Sequence, residues 1–378
     1  MLSRPALACT VFASSVLLAG WQAAAAADDR LPERGLNLSH WFSQVQAPGG
    51  ATREHLTGFV TDADLARIAG LGFDHVRFPV EVELFMDRDD PARLDAEHLA
   101  LLDAAVERIL DHGLDVIVDA HPSQGFKKWL AESPEHVDRF AAFWEVFARH
   151  LSKYDAGRLY LELLNEPATI GGDAWDAVWP KLAAAARRGA PEHTLIASGG
   201  MWSGSFELLK VEPIEDPNVI YNFHFYTPMT FTHQGASWSQ PQWGKIAGMP
   251  YPSSPELVGG IEPLEDDEAA VEAIRAHGEE RWGRGALAER ISAVAGWAER
   301  HGVRVTCNEF GVYSKFAPDA DRLRWLSDVV GLLEAEGMGW TMWDYSGAFG
   351  IFDIRSEPRR VNEGVIEALG LREGAGVR

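Results

Sequence analysis

Four times along this 378-residue chain an amphipathic stretch ends at glycine and an apolar run follows at once. The copies read ARIAGLG-FDHVRFP, ERILDHG-LDVIVDAH, WAERHG-VRVTCNEF and LEAEG-MGWTMWDY. Glycine at a helix end supplies the left-handed cap that other residues resist. The run behind it has the unbroken apolar character of a strand buried on both faces. Alternation of this kind predicts parallel βα units. The helices between are legible too. Over Asp95–Asp111, residues Leu99, Leu102, Val106, Ile109 and Leu110 form one stripe at i, i+3, i+4 spacing. Phe140, Phe143, Trp144 and Phe147 do the same within Pro134–Leu151, and Leu287–Ala298 and Leu323–Leu333 repeat the pattern. Thr61 with Asp64 makes a capping box ahead of Leu65.

Eight strands are expected in all: Gly35–Leu38, His75–Phe78, Asp115–Asp119, Leu159–Leu164, Thr194–Ala197, Val219–Phe223, Arg304–Asn308 and Gly339–Trp343. Eight strands with helices between them predict an α/β fold closed into a single (β/α)8 TIM barrel. An open dinucleotide-binding sheet would want G-x-G-x-x-G after its first strand; here that strand runs into NLSHWF. One interval breaks the rhythm. Residues 227–285 hold Trp238, Trp243, Tyr251 and Trp282, several prolines and an acidic run from Glu262 to Glu268. It is too long for a plain loop and reads as an insertion after the sixth strand, with a helix over Glu268–Arg281.

The first 27 residues stand apart: Arg4, an apolar stretch from Ala6 to Gly20, and small residues from Ala23 to Ala27. That is the layout of a secretory signal peptide, with an apolar stretch too short for a membrane anchor. Residues 28–378 are then the barrel domain, exported to the periplasm or the medium. Cys9 leaves with the leader, so the mature chain keeps Cys307 alone, two residues before Glu309 within a buried strand. It reads as a small apolar filler. The formal net charge of −22 argues against nucleic acid and, more weakly, against anionic polysaccharides.

The chemistry collects where strands end, because in such a barrel those ends converge on one face. There lie Asn37 to Trp41, Arg77, His121, Asn165 with Glu166, Ser198 to Trp202, His224 with Tyr226, Glu309, and Trp343 with Asp344. Two carboxylates, Glu166 in LYLELLNEP and Glu309 in VRVTCNEFG, close apolar runs in a ring otherwise made of polar and aromatic groups. Paired acids at that place are the equipment of a retaining glycosidase. Glu162 shares strand parity with Glu166 and reads as a structural carboxylate paired with a buried arginine. With no HExxH and no cysteine cluster, zinc is not expected, and nothing calls for a cofactor.

Taken in order, RGLNLSHWF, HVRFPVE, DVIVDAH, LELLNEP, NFHFYTP, VTCNEFG and MWDYSGAFG resemble glycoside hydrolase family 5 of clan A, the family of many bacterial cellulases. The resemblance covers nearly the whole mature chain. It implies retaining hydrolysis of a β-glycosidic bond, with Glu166 as acid/base and Glu309 as nucleophile. Arg77 and the Tyr226 hydroxyl would hold Glu309 charged. Asn165 would bind the sugar 2-hydroxyl. His121 and His224 would hold hydroxyls and orient the carboxylates. Trp343 would floor the reacting ring, with Trp41, Trp202 and Trp238 at further subsites. The chain departs from the pattern at Ala120-His121, where many cellulases carry His-His, at Ser39-His40-Trp41, and at the long insertion.

The expected activity is an endo-β-1,4-glucanase acting as a monomer on a neutral β-linked glycan. A β-1,3-glucanase or another β-glycanase is the alternative within the family. A catalytically silent glycan-binding protein is the alternative of another class, and a transglycosylase would use the same covalent intermediate.

Overall fold

The computed structural model describes residues 32–168 and 172–374; the expected leader, residues 1–27, lies outside them. Eight parallel strands, β1 (Arg34–Asn37), β2 (His75–Val80), β3 (Asp115–Ala120), β4 (Leu159–Glu162), β5 (Leu195–Ser198), β6 (Val219–Phe225), β7 (Arg304–Phe310) and β8 (Gly339–Met342), close into a barrel in sequential order. β1 completes the ring by pairing with both β2 and β8. The ends differ from expectation by a residue or two. β6 and β7 run further because Phe225 still pairs with Phe310.

Each repeated glycine does what its position requires. Gly72, Gly113, Gly302 and Gly337 take φ of 97°, 83°, 64° and 70°, the left-handed region that a Cβ disfavours. The chain thereby reverses from helix to strand within two or three residues. The expected helices are present as Ala96–Asp111, Pro134–Leu151, Arg284–His301 and Asp319–Ala335, and the Thr61–Asp64 capping box is formed. Asp95 is the N-cap of its helix, accepting from the His98 amide, so the helix begins one residue later than expected. Trp144 and Trp297 are core.

Strand residues that alternate outward, such as Val76, Phe78, Val116, Val118 and Leu161, join the main core under the helices. Those that alternate inward fill the barrel in layers. Ile117, Tyr160, Ile196 and Ile220 form a separate apolar floor. One pleat higher β3, β4 and β6 offer Asp119, Glu162 and Asn222, joined by Arg77 of β2 and Asn308 of β7, all buried. At the opposite end of the interior the His75 ring leans across β1. A Cβ built on Gly35 would lie 2.0 Å from His75 Nε2, and that ring is pinned by Thr341 Oγ1 at 2.8 Å and Asp74 Oδ1 at 2.6 Å. Gly35→Ala should therefore destabilise by about 1–3 kcal/mol through overpacking; urea unfolding measures it, and a neutral effect would mean the ring can swing aside.

The insertion after β6 carries helix Glu268–Glu279 and two short helices, Met229–Thr232 and Pro255–Val258. It is tied to the barrel by polar contacts. The Tyr251 hydroxyl donates to Asp328 at 2.8 Å and the Tyr251 amide to Asp321 at 3.2 Å, while Gln234 braces the insertion internally by bridging the backbone of Phe231 and Met249. The expected helix to Arg281 stops at Glu279, and Arg281 itself turns to φ 50°.

Candidate active site

Arg77 is fully buried at the centre of the polar layer, and the layer is organised around its guanidinium. Nε and Nη2 donate to the two oxygens of Glu162 at 2.9 and 2.8 Å. Nη1 donates to Glu309 Oε1 at 2.6 Å and Asn37 Oδ1 at 2.9 Å, and Nη2 also reaches Asn165 Oδ1 and Asp119 Oδ2 at 2.9 Å each. Asn222 and Asn308 donate to the same Glu162 carboxylate at 3.0 and 2.7 Å. Glu162 is thus the arginine-paired structural carboxylate that strand parity suggested. A planar fork suits this task, since it satisfies two anions edge-on and still spares donors for the amides.

Both candidate catalytic glutamates break the alternation that would hide them. Asn308 points inward to Glu162, so strict pleating would turn Glu309 outward. The β6–β7 register slips between Phe223 and His224: Cys307 pairs with Phe223 and Glu309 with His224. That bulge leaves Asn308 as the extra residue and returns Glu309 to the interior. After β4, Asn165 faces Arg77 and Glu166 follows with φ 42°. This left-handed turn, uncommon for glutamate, aims a second consecutive side chain at the cleft.

The two carboxylates meet around His224. One oxygen of Glu166, one of Glu309 and one ring nitrogen of His224 all lie within 4.8 Å of one another. A separation of about 5 Å suits double displacement, whereas an inverting site needs roughly 6.5–9.5 Å to admit water. His224 Nδ1 sits 3.0 Å from Glu166 Oε1 and 3.5 Å from Glu309 Oε2. Atoms this close could hold a cation, but Glu309 already accepts from Arg77 and from the Tyr226 hydroxyl at 2.9 Å. The guanidinium also opposes a second positive charge.

The pair is electrostatically unequal. Burial pushes both carboxyls up, with the charge of Glu162 adding to the rise at Glu166 and that of Glu166 to the rise at Glu309. Glu309 has two donors on its oxygens, Arg77 and Tyr226, and a side chain only 6% exposed; Glu166 contacts His224 and stays 20% exposed toward the cleft. The donors on Glu309 favour its charged form, and Glu166 has no comparable pair. Burial lowers His224 to about 4 and holds His121 well below the usual imidazole range, so both rings are neutral near pH 7.

His121 does less for the cleft than its strand-end position suggested. Nδ1 contacts Asp119 Oδ2 at 2.8 Å, which places the proton there and makes Nε2 an acceptor. Nε2 then receives the amides of Asn165 and Gln44, each at 3.1 Å. The ring fixes the Asn165 amide, whose oxygen is held by Arg77. Trp343 is half-buried, its ring parallel within 22° to His121 with centroids 6.0 Å apart. Trp202 and Trp238 are 51% and 61% exposed. Trp238 stands edge-on to Tyr313, which continues through Phe349 to Tyr226. Trp41 must be corrected. It is fully buried against Phe42 and Phe78, and its indole donates to Leu56 O at 2.8 Å, so no sugar can stack on it.

Sequence reasoning gave no role to Asn37, Gln44, Asp119 or Lys127, all of which touch this network through hydrogen bonds or charge. Inward parity along DVIVDAH would have found Asp119. Asp344 was placed at a strand end but given no part. It is 2% exposed, accepts from Ser39 Oγ at 2.7 Å, and its Oδ1 has no partner. Burial pushes this carboxyl up to about 8. A raised folded-state value favours folding below the unfolded value near 4 and loses that contribution as pH climbs through 8. Asp344→Asn should therefore flatten the fall in stability between about pH 4 and 8 and match or exceed the parent at pH 8, by urea unfolding at both ends. An unchanged slope would place the titration elsewhere.

The description Cellulase (glycosyl hydrolase family 5) matches residues 42–349. The chain belongs to glycosyl hydrolase family 5. It is accordingly a glycoside hydrolase, of a family that retains anomeric configuration, as the carboxylate spacing suits. Endoglucanase C of Acetivibrio thermocellus is 27% identical over 347 residues, 90% of this chain and 98% of its own. Cellodextrinase A of Ruminococcus flavefaciens is 28% identical over 316 residues, 81% and 83% of the two chains. Endoglucanase Cel5A from the hyperthermophilic Thermotoga maritima superposes with a TM-score of 0.73 at 23% identity, covering 89% of this chain and 96% of that one. This last likeness concerns the fold alone.

Proposed function

We propose that this family 5 hydrolase is an exported endo-β-1,4-glucanase in which Glu309 is the nucleophile and Glu166 the acid/base. The observation that carries the reading is the asymmetry of the two carboxylates across a gap of no more than 4.8 Å. Glu309 is held by Arg77 and Tyr226. In the first step a Glu309 oxygen bonds to the anomeric carbon, the bond to the leaving oxygen breaks, and Glu166 gives that oxygen its proton. In the second, Glu166 takes a proton from water, the water oxygen bonds to the same carbon, and Glu309 leaves. Asn165 binds the 2-hydroxyl, Trp343 lies under the reacting ring, His224 orients Glu166, and Trp202 and Trp238 serve outer subsites. The glucan assignment is supported by relatives named endoglucanase and cellodextrinase.

Export rests on residues 1–27 as a signal peptide, with 28–378 as the mature catalytic domain. No helix among the described residues is long and apolar enough to cross a membrane. The substrate test is release of reducing sugar from carboxymethylcellulose, barley β-glucan, laminarin and mannan. The first two should be cleaved. Mannan belongs in the panel because Thermotoga maritima Cel5A has a structure in complex with mannotriose. Cleavage of laminarin or mannan alone would correct the linkage or sugar; inertness toward all four would defeat the hydrolase assignment.

Glu166→Ala tests the acid role separately. It should cost about 10²–10³ on unactivated cello-oligosaccharides and little in the first step on dinitrophenyl cellobioside, whose leaving group needs no proton. Equal losses on both would remove Glu166 from that role.

A further inference from the structure

Two side-chain amides claim one nitrogen at the rim of this cleft, and their chemistry fixes which atoms meet. Arg77 can only donate, so Asn165 turns Oδ1 toward it and Nδ2 toward His121. His121 Nε2 is then the acceptor, with the ring proton on Nδ1 facing Asp119. Gln44 meets the same Nε2 at 3.1 Å, so it too presents its NH2 group. A neutral imidazole nitrogen has a single in-plane lone pair, which cannot serve two donors well. Asn165 is buried and held at its other end by Arg77. Gln44 is exposed, and its Oε1 takes no hydrogen bond from the described residues. The surplus amide, the one able to turn to a ligand, is that of Gln44.

Its backbone is held for the purpose. Gln44 has φ 52° and His40 φ 62°, a region that residues with a Cβ avoid. His40 Nδ1 donates to Gln44 O at 3.0 Å, His55 Nε2 to His40 O at 2.8 Å, and Ser43 Oγ to His121 O at 2.9 Å. Strained backbone persists where its surroundings over-determine it, and it gathers at ligand clamps.

The neighbouring amide shows which part of the substrate Gln44 meets. Asn165 is proposed to bind the 2-hydroxyl, and the two NH2 groups stand side by side on one ring atom. Carbon 2 of a pyranose has two ring neighbours. Carbon 1 is the reacting centre and belongs to Glu166 and Glu309, whose partners are His224, Arg77 and Tyr226 rather than Gln44. Carbon 3 is the other. We propose that Gln44 binds the 3-hydroxyl of the reacting sugar and so selects for a chain that continues from O4. In a β-1,4-linked glucan that hydroxyl is free to donate to Oε1. In a β-1,3-linked chain O3 carries the next sugar, which leaves no proton to give and needs the space that Gln44 fills. The assignment rests on Asn165 binding the 2-hydroxyl, as proposed above.

The test uses Gln44→Ala in the full-length enzyme, with dinitrophenyl cellobioside and its analogues lacking the 2- or the 3-hydroxyl on the sugar that bears the leaving group. In the parent, loss of the 3-hydroxyl should lower kcat/KM about tenfold, the scale of one hydrogen bond. Gln44→Ala should lose about tenfold on the complete substrate and nothing further on the 3-deoxy analogue. The 2-deoxy analogue should cost the variant as much as it costs the parent. The intrinsic reactivity of each analogue cancels between the two enzymes. On barley β-glucan the parent should release oligosaccharides whose new reducing-end glucose is substituted at O4, and the variant should add products substituted there at O3, read by methylation analysis. A 3-deoxy penalty that survives in the variant, or no rise in 3-substituted ends, would overturn the inference. Should Gln44→Ala fold poorly at this positive φ, Gln44→Gly, which such a backbone suits, carries the same test. Failure of the underlying reading is separable: the 2-deoxy penalty would then persist in Asn165→Ala, whatever Gln44 does.

Discussion

Glu309→Ala should lose turnover on every substrate, by about 10⁵-fold or more, because the covalent route closes. The fold should survive. Arg77 keeps Glu162 and Asp119, and the pair loses a mutual repulsion that burial had magnified. The truncated side chain leaves a hole bounded by the Arg77 guanidinium and the Tyr226 hydroxyl, the two groups that held the carboxylate. Such a hole fits a small anion. Azide or formate should therefore rescue part of the activity on dinitrophenyl cellobioside, and the azide product should carry the α configuration, because one displacement replaces two. Proton NMR of the anomeric signal decides it. A β product, or turnover surviving without an added anion, would take the nucleophile's role away from Glu309.

The strand and helix pattern was legible because cap chemistry is local. A glycine that must take positive φ marks the helix end wherever the rest of the chain goes, and Gly72, Gly113, Gly302 and Gly337 all do so. Glu162 was readable for a related reason: period-two parity fixed its direction, and burial then demanded an arginine. Parity fails at Glu309, where a bulge against β6 supplies the direction, and a bulge is a property of two strands that no single segment announces. Glu166 likewise owes its direction to a φ of 42°. Trp41 was misjudged because a strand-end tryptophan looks the same whether it lines a cleft or not. The carbonyl that takes its indole N–H belongs to Leu56, fifteen residues further on. Lys127 in GFKKWL is buried, and nothing in that segment alone announces it.

Arg77→Met should unfold much of the protein's margin of safety. Three carboxylates, those of Asp119, Glu162 and Glu309, lie within hydrogen-bonding distance of one guanidinium, and all are buried. Removing the cation leaves them desolvated together, a change that costs about 3–5 kcal/mol where a buried pair is broken. The loss should depend on pH in a definite direction. Asp119, even with Arg77 present, is pushed up to about 6 by burial. Without the guanidinium, which lowers both, Asp119 and Glu309 rise further above their unfolded values. Stability from a raised carboxyl is present below the unfolded value near 4 and is lost as pH climbs through the folded value, so the deficit against the parent should be smallest near pH 4.5 and widen toward pH 7.5. Activity should fall by at least about a hundredfold at pH 7, because Glu309 without its closest donor holds a proton and cannot attack. Arg77→Lys should rescue little: one ammonium cannot span Glu162 edge-on and still reach Glu309, Asn37 and Asn165. Urea unfolding at the two pH values reads the result. A deficit independent of pH, or a lysine variant as stable and active as the parent, would mean that the polar layer is held by its amides rather than by this guanidinium.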